Sequence, residues 1–308
     1  MVSDAQTAPH AAAAAEADFS KMGIYVDGRT TNELNELLKT KAIGEVTARD
    51  MYNFSCMHYL DDEPMNAAAE FFGLQGGDPS PSPSPSLHKV LDFGAGFAGD
   101  ARVMAAEYPQ CEITCVEVQP HIHDAAKHFT EMLRGASGPG GVADRCTHQC
   151  VDVFQTDVVG APFDHVFSVL VVLHIPERAR LWAALAASLK PGGTIYIEDY
   201  FAARPLTEQD KAQLAGPVAC PYLPSHDEYL ATLAEAGFVD VEWEVMTGRW
   251  LPFVDTRLKA FRAAGDRNAR VHGAALTAEL DLFYSTVHQL FTRGNLGGVR
   301  IRAKKAAP

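Results

Sequence analysis

Basic residues are scarce in this 308-residue chain: 26 Lys and Arg stand against 39 Asp and Glu, a formal net charge of −13. Binding to phosphate backbones or anionic lipid relies on clustered cations, so nucleic acid and a charged membrane surface are disfavoured and a small-molecule substrate is expected. No two of the six cysteines stand in C-x-x-C spacing, which argues against a structural zinc site or a redox pair. Cys111/Cys115 and Cys146/Cys150 fall in expected strands, where residues four apart lie about 13 Å from each other. Neither pair can close a disulfide or share an ion, so reduced thiols, a cytoplasmic location and no metal are expected. No apolar run approaches membrane-spanning length, which argues against a membrane partner. A G-x-S-x-G elbow and a Walker loop are also missing, leaving hydrolase and nucleoside-triphosphatase readings without support. The Ala-rich start lacks the arginines of a transit peptide, and residues 1–28 are expected to be disordered or fraying.

What the chain does have is 47% hydrophobic residues, enough for one large core or one core with a cap. Leu34, Leu37 and Leu38 predict a helix over 32–41. The aromatic segment MYNFSCMHYL (51–60) follows, then a short helix over 64–74. PSPSPSPS (79–86) reads as a polar, polyproline-prone solvent loop. From Leu87 strands and helices alternate: strands over 88–93, 111–118, 147–153, 163–170 and 193–199, helices over 99–107, 120–134 and 176–188. Residues 135–141 (GASGPGG) read as a flexible insertion, and Lys190-Pro191-Gly192-Gly193 as a sharp turn. Ser225 and Glu228 form a capping box for a helix ending at Gly237. Strands 239–245 and 298–304 then bracket an inserted cap with helical patterns near 253–264 and 275–292. The fold class this predicts is α/β, a doubly wound, seven-stranded, mostly parallel sheet.

The stretch VLDFGAGFAGD (90–100) joins a hydrophobic strand to a helix through Gly94, Gly96 and Gly99. Such a turn brings bare backbone and a helix N-terminus against a nucleotide-like ligand. Read literally it is G-x-G-x-x-G, which also fits a pyrophosphate in an NAD-dependent oxidoreductase. Together with the acidic strand end VEV (116–118), Asp152-Val153 and LKPGG before a strand, it resembles the class I S-adenosylmethionine-dependent methyltransferase fold across roughly 45–304. The resemblance implies S-adenosyl-L-methionine as cofactor. Asp92, Gly94, Ala95 and Gly96 would then lie along its methionine part, Glu117 on the ribose hydroxyls, Val118 and Gln119 beside the adenine, and Asp152 and Val153 at the adenine amino group and face. It implies a helical lid and Pro/Ser loop over 29–86, a cofactor-binding core over 87–249, a helical substrate cap over 250–296, and the last strand and tail over 297–308.

Within that fold the MYNF…MHYL segment is similar to the small-molecule branch holding phosphoethanolamine, sarcosine/dimethylglycine and sterol methyltransferases. There an aromatic N-terminal segment closes over the cofactor, which points to Tyr52 and Tyr59. The V-L-H-I-P context of His174 resembles that branch's catalytic histidine; a neutral imidazole there can take a proton from the nucleophile or hold it in line. Of the phosphobase enzymes' Tyr/Arg/Tyr cluster only Tyr222 has a match, and Cys220 stands where Arg belongs. Tyr200, Trp250, Arg257, Tyr284 and His288 are further substrate-site candidates, a mixture suited to a carboxylate and a methylated onium group. The leading expectation is N-methylation of an amine, possibly carboxylated, with S-methylation of a sulfur-containing acid or C-methylation of a sterol-like carbon as alternatives. A binding module that has lost catalysis is the third reading, and oligomeric state stays open.

Overall fold

The computed structural model describes residues 27–76, 87–134 and 140–307. The N-terminal segment before Asp27, the Pro/Ser loop and most of the Gly-rich insertion lie outside the described residues. Three helices come first: α1 (Asp27–Leu38), α2 (Ala48–Ser55) and α3 (Glu63–Phe71). The parallel part of the sheet follows as β1 (His88–Phe93), β2 (Cys111–Glu117), β3 (Cys146–Cys150), β4 (Phe163–Val169) and β5 (Leu189–Ala202). Helices α4 (Gly99–Glu107), α5 (Pro120–Glu131), the one-turn α6 (Val142–Arg145) and α7 (Arg178–Ser188) connect them. Then come α8 (Glu208–Ala215), α9 (His226–Glu235), β6 (Phe238–Val245), α10 (Thr247–Ala263), α11 (Gly265–His272), α12 (Ala274–Arg293) and β7 (Leu296–Lys305). The seven strands run in the order β3-β2-β1-β4-β5-β7-β6, with β7 antiparallel to both neighbours. Strand order reverses between β1 and β4, and in open α/β sheets ligands bind outside the carboxyl ends at that point.

Side-chain alternation along the strands sorts two cores. Val90, Phe167 and Tyr196 face α1 to α5, while Leu91, Val166, Ile195 and Ile197 face α7 and α9 with Trp182 and Tyr229. A third apolar cluster holds α10 and α12 over the end of the sheet, built from Tyr59, Tyr200, Trp250, Val254, Leu290 and Phe291. A Cβ on Gly298 would sit 2.1 Å from Trp250 Cε3, so β7 needs glycine where it passes under that ring.

Several elements depart from their sequence-based limits. The expected turn at 190–193 is taken up inside β5, which pairs with β4 from Leu189 onward through an irregularity between Phe163 and His165; Gly192 carries the positive φ of +75°. Helix α8 was not expected, because Thr207–Asp210 caps it with Asp in place of the Glu of a standard capping box. The cap contains three helices where two patterns were legible, since α11 is too short and polar to show apolar periodicity. Among the described residues no helix is long and apolar enough to cross a membrane.

Candidate active site

A cavity of about 260 Å3 opens at the carboxyl ends of β1, β2 and β4, closed on one side by the segment after α2. Its floor is the glycine loop. Gly94 and Gly96 have φ of +70° and +54°, and a Cβ on Gly94 would lie 2.3 Å from Val171 Cγ1. At Gly99 a Cβ would lie 2.3 Å from Cys56 Sγ. The loop is therefore pressed between β4's exit and the lid, and its bare backbone, with Ala95, forms part of the cavity wall.

Carboxyl groups dominate the polar lining. Asp92 at the end of β1 is buried, and burial, reinforced by nearby Asp100, pushes its pKa well above the usual range. Glu117 ends β2 and lies 21 residues beyond Gly96, yet the turn brings the two together: its Oε2 accepts from Gly96 N (3.2 Å) and its Oε1 from Gln119 N (2.9 Å). Burial raises its pKa, partly offset by those backbone donors. Asp152 follows β3 and caps its own turn, accepting from Phe154 N (2.8 Å) and Gln155 Nε2 (2.7 Å). Val118, Gln119 and Val153 line the same end of the cavity. No Lys or Arg is among the described lining residues, so the cavity suits a cationic ligand that can also donate hydrogen bonds.

His174 stands on the other side, closing the 3-10 turn Val172–His174 after β4. Its Nδ1 donates to the carbonyl of Ala219 (2.8 Å), which puts the proton on Nδ1 and the basic lone pair on Nε2. Burial lowers its pKa to about 4, so the ring is neutral at pH 7. Tyr200, at the end of β5, lines the cavity beside it, and its hydroxyl is hydrogen-bonded to that of Tyr59.

Three lining residues escaped the sequence reading. Asp100 Oδ2 meets His58 Nε2 at 2.8 Å, and Asp100 Oδ1 accepts from the Tyr52 hydroxyl at 2.8 Å. His58 Nδ1 faces the Tyr59 carbonyl at 3.3 Å, so both ring nitrogens meet acceptors. Burial opposes charge on that ring, but the Asp100 carboxylate outweighs it and raises the pKa of His58. Cys56 Sγ lies with the His58 and Asp100 ligand atoms inside 4.8 Å, its thiol pushed up by burial and by Asp100. No spacing rule links residues 56 and 58 to 100.

The remaining candidates sit outside this cavity. Tyr52 stands behind Asp100, and Tyr59 is buried edge-on to Trp250, with ring centroids 5.0 Å apart. Trp250 is itself 0% exposed, packed on Gly298. Tyr222 is 39% exposed, and its hydroxyl donates to Glu228 at the surface. His288 pairs with Asp255 (3.3 Å) on the cap. Arg257 and Tyr284 line a neighbouring pocket.

A family model described as a methyltransferase domain matches residues 90–193. The chain is 25% identical over 229 residues to 24-methylenesterol C-methyltransferase 2 of Oryza sativa subsp. japonica, covering 69% of this chain and 60% of that one. It is 26% identical over 162 residues to phosphoethanolamine N-methyltransferase 2 of Caenorhabditis elegans, covering 52% of this chain and 35% of that one. The match thus spans less than two thirds of the length of either relative. Among solved structures, phosphoethanolamine N-methyltransferase 2 of Haemonchus contortus in complex with S-adenosyl-L-methionine superposes with a TM-score of 0.72 at 19% identity, covering 95% of this chain and 60% of that one. Residues 90–193 match a methyltransferase domain, and the sheet order with its antiparallel β7 is that of the Rossmann-like class I methyltransferase fold.

Proposed function

We propose that the protein transfers a methyl group from S-adenosyl-L-methionine to an amine nitrogen of a small polar metabolite. One observation carries this: a single cavity joins a cationic-ligand cradle (Asp92, the Gly94–Gly96 backbone, Glu117, Asp152) to a neutral imidazole, His174. The positive-φ glycines leave backbone open where a Cβ would stand, and the carboxyls match a ligand carrying an ammonium, a sulfonium and a ribose diol. When bound, S-adenosyl-L-methionine supplies a methyl group already activated on sulfur. Glu117 would accept hydrogen bonds from the ribose hydroxyls, Asp92 would hold the amino-acid end, and Asp152 and Val153 would take the adenine. His174 Nε2 accepts a hydrogen bond from the acceptor's N–H, aiming the nitrogen lone pair, and takes that proton as the new C–N bond forms. Leu170, Val171, Leu173, Val218 and Phe283 add apolar surface to the lining that His174 shares, which disfavours water beside the reacting groups.

Calorimetric titration with S-adenosylhomocysteine tests the cradle. Saturable one-to-one binding without any response to NAD or NADH is expected, and the reverse pattern would show a dinucleotide enzyme. Glu117→Gln keeps the shape and removes the charge on the diol's acceptor, so S-adenosylhomocysteine should bind about ten- to hundredfold more weakly. An unchanged dissociation constant would take Glu117 out of the site. Turnover of labelled methyl donor against a metabolite panel then identifies the acceptor atom; an amine product is expected. A catalytically dead module would show no turnover with any acceptor.

A further inference from the structure

A second pocket of about 250 Å3 lies against the first, and Cys56 and Met57 belong to the walls of both. Its lining includes Arg29 from α1, Arg257 from α10, Tyr284 from α12 and Asn53 from α2. Elsewhere on the cap, arginines are neutralised by acids: Arg249 by Glu63, Arg262 by Asp281, Arg267 by Glu33 and Arg270 by Glu36. Arg29 and Arg257 have no carboxylate partner among the described residues. Arg29 Nη2 donates to the Phe54 carbonyl (3.2 Å), while its Nε is buried with no hydrogen-bond partner among those residues. Arg257 Nη2 donates to the His58 carbonyl (2.6 Å), and its guanidinium lies 5.5 Å from the Tyr59 ring centroid and 4.6 Å from that of Phe253. A protein of net charge −13 thus holds, in one pocket next to the main cavity, two guanidinium groups with no carboxylate partner among the described residues. Half-buried guanidinium groups with donors to spare call for acceptors, and planar forks of this kind match oxyanions.

We propose that this pocket seats the anionic end, a carboxylate or phosphate, of the methyl acceptor, whose amine reaches past Met57 to His174. This rests on the methyltransferase reading above. The main cavity's lining has four carboxyls and no Lys or Arg, so an acidic acceptor would be repelled there without a basic anchor alongside. Arg257 ties the two chambers together, because the carbonyl it holds belongs to His58, which lines the main cavity. The acceptor is therefore an amino acid-like or phosphorylated amine; an amine without an acidic group would leave both arginines unanswered.

Protein saturated with S-adenosylhomocysteine is titrated calorimetrically with sodium acetate and, separately, sodium phosphate. One saturable site is expected, and whichever ion binds more tightly names the acidic group. Arg29→Gln and Arg257→Gln should each weaken it at least about tenfold, whereas Arg262→Gln, on the exposed Asp281 pair, leaves it unchanged. S-adenosylhomocysteine affinity should be the same in all four proteins. If Arg257→Gln fails to fold, Arg29→Gln alone decides the matter. Absence of saturable anion binding, or equal binding by the glutamine variants, would overturn the subsite and leave the methyl-donor reading standing. Failure of the wild-type protein to bind S-adenosylhomocysteine would overturn that reading and this one together.

Discussion

Replacement of His174 by alanine should lower kcat by about 10²- to 10⁴-fold, the usual contribution of a positioned general base, and leave S-adenosylhomocysteine affinity intact. The separation follows from the geometry. His174 leaves β4 on the side of Leu173 and Val218, whereas the cofactor cradle is built from the ends of β1, β2 and β3. The bond from Nδ1 to the Ala219 carbonyl fixes both ring orientation and tautomer and leaves Nε2 as the basic nitrogen. With its pKa lowered to about 4, the imidazole is neutral over the whole range from pH 5 upward. The acidic limb that His174 imposes on kcat/KM should therefore lie near pH 4, well below the 6.5 of an ordinary histidine. Fold integrity needs a parallel check there, because His148 and His165 are also lowered to about 4 by burial. A histidine whose folded pKa is depressed contributes stability that is present above its unfolded value of about 6.5 and lost as pH falls towards 4. Circular dichroism along the same pH series separates the two effects. A variant with kcat within threefold of wild type would remove His174 from the mechanism.

How far this site could be seen in the sequence depended on whether its parts were local. Strand 88–93, the glycine turn and helix 99–107 were legible to the residue, because hydrophobic alternation, glycines at positive φ and a helix start fall within one continuous stretch. Glu117 was legible for the same reason, one strand later. The Ser225–Glu228 box was found because it has the usual Ser and Glu, while Thr207–Asp210 was passed over for want of a Glu. The first helix runs from Asp27 to Leu38, displaced from the expected 32–41, because its leucines mark a buried face and say little about where it starts. The His58–Asp100–Tyr52 network could not be read at all. Its members are 42 and 48 residues apart and meet only after the lid folds on α4.

Aromatic residues misled in a different way. Trp250, Tyr59 and Tyr200 have the composition of a binding box, but Gly298 lets β7 approach so closely that Trp250 becomes core. Only Tyr200 of the three reaches the cavity, at the open end of β5. Arg257 and Tyr284 were grouped with them on composition; the fold places that pair in the neighbouring pocket, whose wall Cys56 and Met57 share with the main cavity.

The largest stability loss should come from a residue far from the chemistry. Arg300, on β7, is 4% exposed and bonds through Nε to Glu198 Oε1 (2.7 Å) and through Nη2 to Glu63 Oε2 (2.6 Å). Glu198 is fully buried on β5; the Tyr196 hydroxyl donates to its Oε1 (2.6 Å), and its Oε2 has no partner among the described residues. Arg300 is the cation beside that carboxylate, and through Glu63 it also ties helix α3, one wall of the lid, to the antiparallel edge of the sheet. Arg300→Leu strands Glu198 without a counter-charge in the core, which costs about 3–5 kcal/mol. The urea midpoint should fall accordingly at pH 8. Burial already raises the pKa of Glu198, and losing Arg300 raises it further, so ionising Glu198 costs more in the folded variant. An acid whose folded pKa is raised is favourable below its unfolded value of about 4.5 and becomes a growing penalty as pH rises towards the folded one. The deficit of Arg300→Leu relative to wild type should therefore shrink at pH 5. Replacing both partners, in Arg300→Leu with Glu198→Leu, removes the buried charge and should recover most of the loss, because exchanging a buried pair for packed apolar groups is often close to neutral. If the single variant matched wild type at pH 8, or the double variant were no better than the single, the stabilising role assigned to this pair would be wrong.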